Sequence, residues 1–324
     1  MNKPYVLGID IGGTNTVYGI VDARGTVIAS GAIKTKKHEI FNDYINELHE
    51  EVTKLLVAND AVGKIFGIGV GAPNANFYTG NIEDAANLQW KGVLPLGRTL
   101  EEKFGIPVAV TNDANAAAIG EMTYGAARGM KDFIMITLGT GVGSGIVCGG
   151  QMIYGADGMA GELGHTIARR GGRPCGCSRK GCLETYCSAT GVVRSALEFL
   201  DAQASVPSLL RNIPSDELTS KDVYDAAKAG DAIALSVFEF TGRILGEMLA
   251  DFAAFTSPEA FIIFGGLAKS GEMLMKPLKE SFEANLLSYQ KGKIRILLSE
   301  LKEADAAVLG ASALGWEAKP STPA

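Results

Sequence analysis

The chain reads as an α/β protein built from two copies of one folding plan with a cleft between them, and three observations predict this. The run Tyr5-Val6-Leu7-Gly8-Ile9-Asp10, the turn Ile11-Gly12-Gly13-Thr14 and the run Val17 to Asp22 alternate as strand, turn and strand. A second copy starts at Phe133-Ile134-Met135-Ile136, where Gly139-Thr140 repeats Gly13-Thr14 and Gly145-Ile146-Val147 repeats Gly19-Ile20-Val21 at the same offset. After each opening the pattern changes to helices alternating with short apolar strands, and 324 residues is the length of roughly two domains.

Taken in order, Gly25 and Val27-Ile28-Ala29 add a third strand to the first hairpin. Tyr44, Ile45, Leu48, Val52, Leu55 and Leu56 give 42–57 the spacing of an amphipathic helix, and 65–70 is strand-like. The strand Val108-Ala109-Val110 ends at Asn112-Asp113, where an Ala-rich helix over 115–124 begins. In the second half helices are predicted at 188–202, 220–229 and 231–255, the last stopped before Pro258. A buried strand at 260–264 ends in Gly265-Gly266, and helix 271–288, strand 293–299 and helix 304–316 follow. The tail 320–324 is expected to be loose. No Pro- or Ser-rich linker separates the halves, so packed domains with a hinge are expected.

Bulk properties narrow the function class. Charged residues make up 20%, hydrophobic ones 47%, and the formal net charge is -6, which disfavours disorder and general nucleic-acid affinity. The longest helical run carries Glu239, Arg243, Glu247 and Asp251, so no membrane span is expected. The first residues run straight into a strand without a leader pattern, and a cytoplasmic protein is expected. The 41 glycines are the outlier, clustering at 8–13, 67–71, 139–150 and 155–172, where backbone must turn sharply or approach a ligand.

His165, Cys175, Cys177 and Cys182 place one imidazole and three thiols in an eighteen-residue window, the donor set of a structural zinc site. Free or disulfide-bonded cysteines are the alternative, and Cys187 is a substitute ligand. Cys148, alone in an apolar run, reads as a core thiol. Glu162 and Glu184 flank the window, so a rigid clamp would carry carboxylates suited, with His165, to gripping a polyol's hydroxyls.

The turns Gly12-Gly13-Thr14 and Gly139-Thr140-Gly141 each join two strands and can present amides and a Thr hydroxyl to phosphate oxygens; plain hairpin turns are the alternative. No P-loop occurs, and Pro73 spoils the relaxed dinucleotide fingerprint at Gly67, Gly69 and Ala72. Asp10, beside the first turn, suits a Mg²⁺ ion or water near phosphate, and Gly265-Gly266 leaves room for an adenine or ribose. Asp113 is the candidate base for accepting a hydroxyl proton, with a helix cap as its alternative role. Asn112 and Asn115 flank it, and Asn74 and Asn76 form another polar loop.

Together these segments resemble the ROK family of sugar kinases and repressors, within the actin-like ATPase fold related to ribonuclease H. The resemblance is carried by Gly8 to Thr14, Asn112 to Ala117, Leu138 to Gly143, Gly161 to His165 and Cys175 through Glu184. It implies a kinase of the glucokinase type, transferring phosphate from ATP to a hexose 6-hydroxyl with Asp113 as base. Asn74, Asn112, Glu162, His165 and Glu184 would hold the sugar. Asp10, Gly12, Gly13, Thr14, Gly139, Thr140, Gly141, Gly265 and Gly266 would serve ATP and Mg²⁺, and the cysteine cluster a structural Zn²⁺. N-acetylmannosamine, N-acetylglucosamine and allose kinases are the runners-up, and sugar-responsive repressors the second class. The implied architecture is a smaller domain over 1–114 completed by a helix at 303–324, a larger domain over 115–302 bearing the zinc loop, and a homodimer. Two departures stand out: Ser178 and Asn74 occupy positions where many members have Gly.

Overall fold

The computed structural model describes residues 3–319 other than 86 and 302. The tail 320–324, and with it the outer end of the helix expected at 303–324, lies outside the described residues.

The first sheet opens as a meander of β1 (Tyr5–Ile11), β2 (Asn15–Asp22) and β3 (Val27–Lys34). After α1 (Phe41–Ala58), β4 (Ile65–Ala72) lies parallel to β1. A small hairpin, β5 (Ile82–Glu83) with β6 (Val93–Leu94), precedes α2 (Leu96–Phe104), and β7 (Val108–Asn112) then pairs parallel with β4. Helix α3 (Asp113–Tyr124) leads to the second sheet. There β8 (Phe133–Leu138), β9 (Val142–Cys148) and β10 (Gln151–Met152) form another meander. Helices α4 (Glu184–Cys187), α5 (Ala189–Ala202), α6 (Ser220–Lys228) and α7 (Ala232–Thr256) follow, then β11 (Ala260–Phe264), α8 (Glu272–Asn285) and β12 (Arg295–Leu298). The strand orders are β3-β2-β1-β4-β7 and β10-β9-β8-β11-β12, the same plan twice.

Helix α9 (Glu303–Gly315) returns from the second sheet to pack on β1, β4 and α3. It closes one face of the first sheet through Val308 and Leu309 against Val6 and Val21, while Tyr44, Ile45, Leu48 and Val52 of α1 bury Leu7 and Ile9 on the other. That explains why β1 and β4 are apolar along most of their length rather than alternating. The helix lies so close that a Cβ on Gly69 would sit 2.6 Å from the backbone nitrogen of Gly315.

The boundaries differ from expectation by a few residues where caps decide. Asp231 is the N-cap of α7, accepting from the Ala234 N–H at 3.0 Å, rather than its first residue. The apolar face of α7 is core: Ile233, Val237, Ile244, Leu245 and Leu249 join one cluster with α8 and β11. Helix α2 is absent from the expected elements, although Leu96, Leu100 and Phe104 at helical spacing and Gly105 with φ 63° at its end mark it. Cys148 is exposed rather than a core thiol, because it is the last residue of β9 at its hairpin with β10.

Candidate active site and metal cluster

The carboxyl ends of the parallel strands create the site. Across the first sheet Asp10 of β1 pairs with Gly71 of β4, Gly71 with Thr111 of β7, and Ala72 with Asn112. Asp113 then opens α3. A side chain on Gly71 would crowd the site, since a Cβ there would lie 3.3 Å from Asp10 Oδ1 and 3.1 Å from the Ala116 methyl. Asp10 and Asp113 line one cavity of about 210 Å³ with Thr137 and Phe264 of the second sheet and Ala306 and Ala307 of α9. Crowding by protein, and next the charge of Asp113, push the Asp10 carboxyl up to about 7. Asp113 faces the cleft, yet the surrounding protein raises its carboxyl too, against a hydrogen bond from Ala114 N–H that lowers it. The helix cap is Asn112, whose Oδ1 accepts from Ala114 N–H at 2.9 Å and shares it with Asp113 Oδ1 at 2.8 Å.

The two glycine turns differ by one residue, the first spanning four residues between the paired Ile11 and Thr16 and the second three between Leu138 and Val142. Gly12 N–H donates to Asn15 at 3.0 Å and Gly139 N–H to Gly141 at 3.0 Å. Among the described residues the amides of Gly13, Thr14, Thr140 and Gly141 donate to no acceptor, which leaves two pairs of N–H groups for an anion. Gly265, at the end of β11, adopts a φ of 104° and lies against the end of β8, where a Cβ would meet the Leu138 backbone; Gly266 opens into free space.

The cysteine window folds into a short hairpin closed by a Pro174–Lys180 bridge, with Cys175 N–H donating to Arg179 at 2.9 Å. The donor atoms of His165, Cys175, Cys177 and Cys182 lie within 4.8 Å of one another. Cys177 Sγ stands 3.6 Å from Cys182 Sγ, and Cys175 Sγ 3.6 Å from His165 Nδ1. Those separations approach the edge of about 3.8 Å expected of a tetrahedron with zinc–sulfur bonds of about 2.3 Å. A disulfide would need about 2.05 Å. Cys187 is not a substitute ligand: it is fully buried and its Sγ turns to the carbonyl of Thr241 at 3.6 Å. The donor chemistry and spacing fit a structural zinc ion.

With Nδ1 on the cysteine side, His165 presents Nε2 to Glu162 Oε2 at 4.0 Å. Glu184 spans both features, lying 3.7 Å from Cys175 Sγ and accepting from Val142 N–H, next to the second turn, at 3.1 Å. Desolvation raises the Glu162 carboxyl, His165 opposes this, and the charges of Asp113 and Glu184 raise it further. The charge of Asp113 thus reaches both Asp10 and Glu162. Asn74 is the outlier. It takes the left-handed region with φ 51°, which suits Gly or Asn, and its amide nitrogen donates to the Glu83 carbonyl at 3.1 Å. Asn115, a hydroxyl-recognition candidate by sequence, is buried with its Oδ1 unpartnered among the described residues.

Sequence reasoning missed three contributors. Asn87 lies over the first turn, its carbonyl oxygen 2.9 Å from where a Gly13 Cβ would be. Ser144 of β9 brackets Glu162, accepting from Leu163 N–H at 3.1 Å and donating to the Gly161 carbonyl. A polar residue at a buried strand position was its available signal. Arg173 anchors the hairpin through Glu198, Ser195 and the Thr185 carbonyl, with its guanidinium 4.4 Å from the Tyr186 ring centre. Nothing local in the sequence marks those partners.

Comparison with known proteins agrees with this architecture. A glucokinase of Halalkalibacterium halodurans is 39% identical over 98% of this chain and 96% of its own length. The crystal structure of a ROK family glucokinase from Streptomyces griseus, in complex with glucose and AMPPNP, superposes with a TM-score of 0.78 at 32% identity, covering 97% of this chain and 99% of that one. A xylose repressor of Caldicellulosiruptor bescii is 30% identical over 95% of this chain and 77% of its own length. The ROK family pattern itself matches residues 6–318, and the chain belongs to the ROK family.

Proposed function

We propose that this protein is an ATP-dependent hexose kinase acting on the 6-hydroxyl, with glucose as the preferred sugar. The observation that carries the proposal is the pair Asp10 and Asp113 in one cavity between the sheets, with unpaired turn amides at the carboxyl ends of the first strands of both. Transfer of a phosphoryl group asks mainly for alignment, charge stabilisation and a base. The amides of Gly13, Thr14, Thr140 and Gly141 would cradle the phosphates, and the nucleoside would lie at Gly265 and Gly266. Asp10 would hold Mg²⁺, which when bound neutralises phosphate charge.

Asp113 would accept the hydroxyl proton. A carboxyl raised above its usual range is a stronger base, which suits proton abstraction near neutral pH. Glu162, Glu184, His165 Nε2 and the amide nitrogen of Asn112 would bind the remaining hydroxyls. Asn74, whose amide nitrogen holds the Glu83 carbonyl, would join them through its carboxamide oxygen. A zinc ion at the cysteine cluster would fix the His165 ring and so aim Nε2 at the sugar.

The proposed division is a smaller domain over 1–114 completed by α9, and a larger one over 115–302. Closure of the two on the sugar would exclude water as a competing acceptor. A homodimer is part of the proposal on family likeness, and sedimentation decides it. A repressor needs no base beside a sugar hydroxyl, so the Asp10–Asp113 pair favours the enzyme. The test is a coupled ADP-release assay over hexoses and N-acetylhexosamines. Glucose should be turned over best; turnover of an N-acetylhexosamine without glucose would replace the substrate, and no turnover of any would overturn the kinase.

A further inference from the structure

One buried carboxylate takes no part in the chemistry above. Glu121, near the end of α3, is fully buried. Its Oε2 accepts from Ala126 N–H at 2.7 Å and its Oε1 from the Ser299 hydroxyl, and the Glu300 backbone N–H donates to it as well. Ser299 Oγ in turn accepts from Leu301 N–H at 3.2 Å. Among the described residues no Lys or Arg pairs with Glu121, so desolvation raises its carboxyl and hydrogen bonds alone oppose this.

The donors sit where the chain passes between the sheets. Ala126 begins the link from α3 to β8, and Ser299 to Leu301 lie on the link from β12 to α9. Close by, α3 and α9 touch backbone to backbone: a Cβ on Gly120 would lie 2.7 Å from the Gly310 Cα and 3.4 Å from Leu301. Two backbone N–H groups, and a hydroxyl that already accepts from Leu301, converge on this side chain and call for an acceptor. An ionised carboxylate meets that need, whereas a Gln side chain would turn its NH₂ toward one of them.

We propose that Glu121 is a positioning residue that pins the two chain crossings to one another and so sets how the half bearing Asp10 meets the half bearing the second glycine turn and the cysteine hairpin. Its effect on catalysis rests on the kinase proposal, because lobe closure is what such a pin would govern; its effect on the crossings does not.

The test uses the full chain with Glu121→Gln, Ser299→Ala and the double variant, followed by amide hydrogen exchange and steady-state kinetics. Glu121→Gln should speed exchange roughly tenfold at both 124–130 and 298–301 while leaving the hairpin at 173–183 unchanged. It should lower kcat and shift the KM for sugar and for ATP together. Ser299→Ala should do the same more weakly, and the double variant should be no worse than Glu121→Gln, because both break one network. Faster exchange at 124–130 alone would overturn the pin and leave Glu121 a cap of α3, as would additive kinetic losses. Should Glu121→Gln fail to fold, Ser299→Ala decides: exchange unchanged at 124–130 would overturn the pin. A wild-type protein without hexose turnover would sink the kinase proposal, and the exchange measurement would still judge Glu121.

Discussion

The two halves share a strand order but differ in what stands behind the turn that each presents. In the first half Asn87 lies over Gly13, the Thr14 carbonyl accepts from Thr35 N–H at 3.0 Å, and the carboxylates of Asp10 and Asp113 lie in the cavity near the turn. In the second the matching turn is buttressed: Ala189 N–H donates to the Gly139 carbonyl at 2.8 Å and the Thr190 hydroxyl to the Thr140 carbonyl at 3.1 Å. Glu184 and the cysteine hairpin, held by Arg173, complete that side. Both halves keep a turn carrying amides that have no acceptor among the described residues. The side chains around it have diverged, with two aspartates in the cavity on one side and a Cys/His cluster flanked by Glu162 and Glu184 on the other.

Substitutions on each side should therefore fail differently. The largest effect on the first side is predicted for Asp10→Asn, which should abolish activity yet stabilise the ligand-free protein. A carboxyl raised from 3.8 to about 7 in the folded state keeps its proton where the unfolded chain has lost it. Wild-type stability from this group is therefore undiminished below about pH 4, falls as pH rises to about 7, and stays lowered above it, by up to about 4 kcal/mol. Thermal melts at pH 5 and pH 8 check this: Asp10→Asn should melt higher than wild type at pH 8, with a smaller gap at pH 5. An equal gap at both would refute the assignment.

On the second side, Cys177→Ala or chelation should lower the melting temperature and weaken sugar binding roughly 10- to 100-fold, with ATP binding little changed. Metal content measured beside calorimetric titration of both ligands checks it. Unchanged sugar affinity in a demonstrably zinc-free protein would detach the cluster from the sugar site. The smallest effect belongs to the hairpin turn, where Ser178 takes a φ of 70°. Ser178→Gly should stabilise the zinc-loaded protein by about 1 kcal/mol, read from denaturant midpoints, without altering turnover.

What could be read from the chain followed the range of the interactions. The glycine turns and their strands were visible because apolar runs flank Gly/Thr turns and recur later in the chain, and the Cys/His cluster because all four residues fall within eighteen positions. Neighbouring polar residues were harder: Asn112 and Asp113 both suit a helix start, and only the backbone shows that Asn112 caps while Asp113 turns to the cleft. Asn74 reads from sequence as part of a polar loop able to reach the cleft, and the bond from its amide nitrogen to the Glu83 carbonyl is not legible there. Cys187 looked like a spare ligand because sequence distance says nothing of direction, and its thiol points into the core. The bond between Glu121 and Ser299 joins residues 178 apart in sequence, beyond any local pattern.

The division between chemistry in the first half and grip in the second is tested most directly by Asp113→Asn in the zinc-loaded protein. Turnover of glucose should fall about 10² to 10⁴-fold, while calorimetric affinities for glucose and for a non-hydrolysable ATP analogue stay within about threefold of wild type. Full kinase activity in that variant would contradict the account.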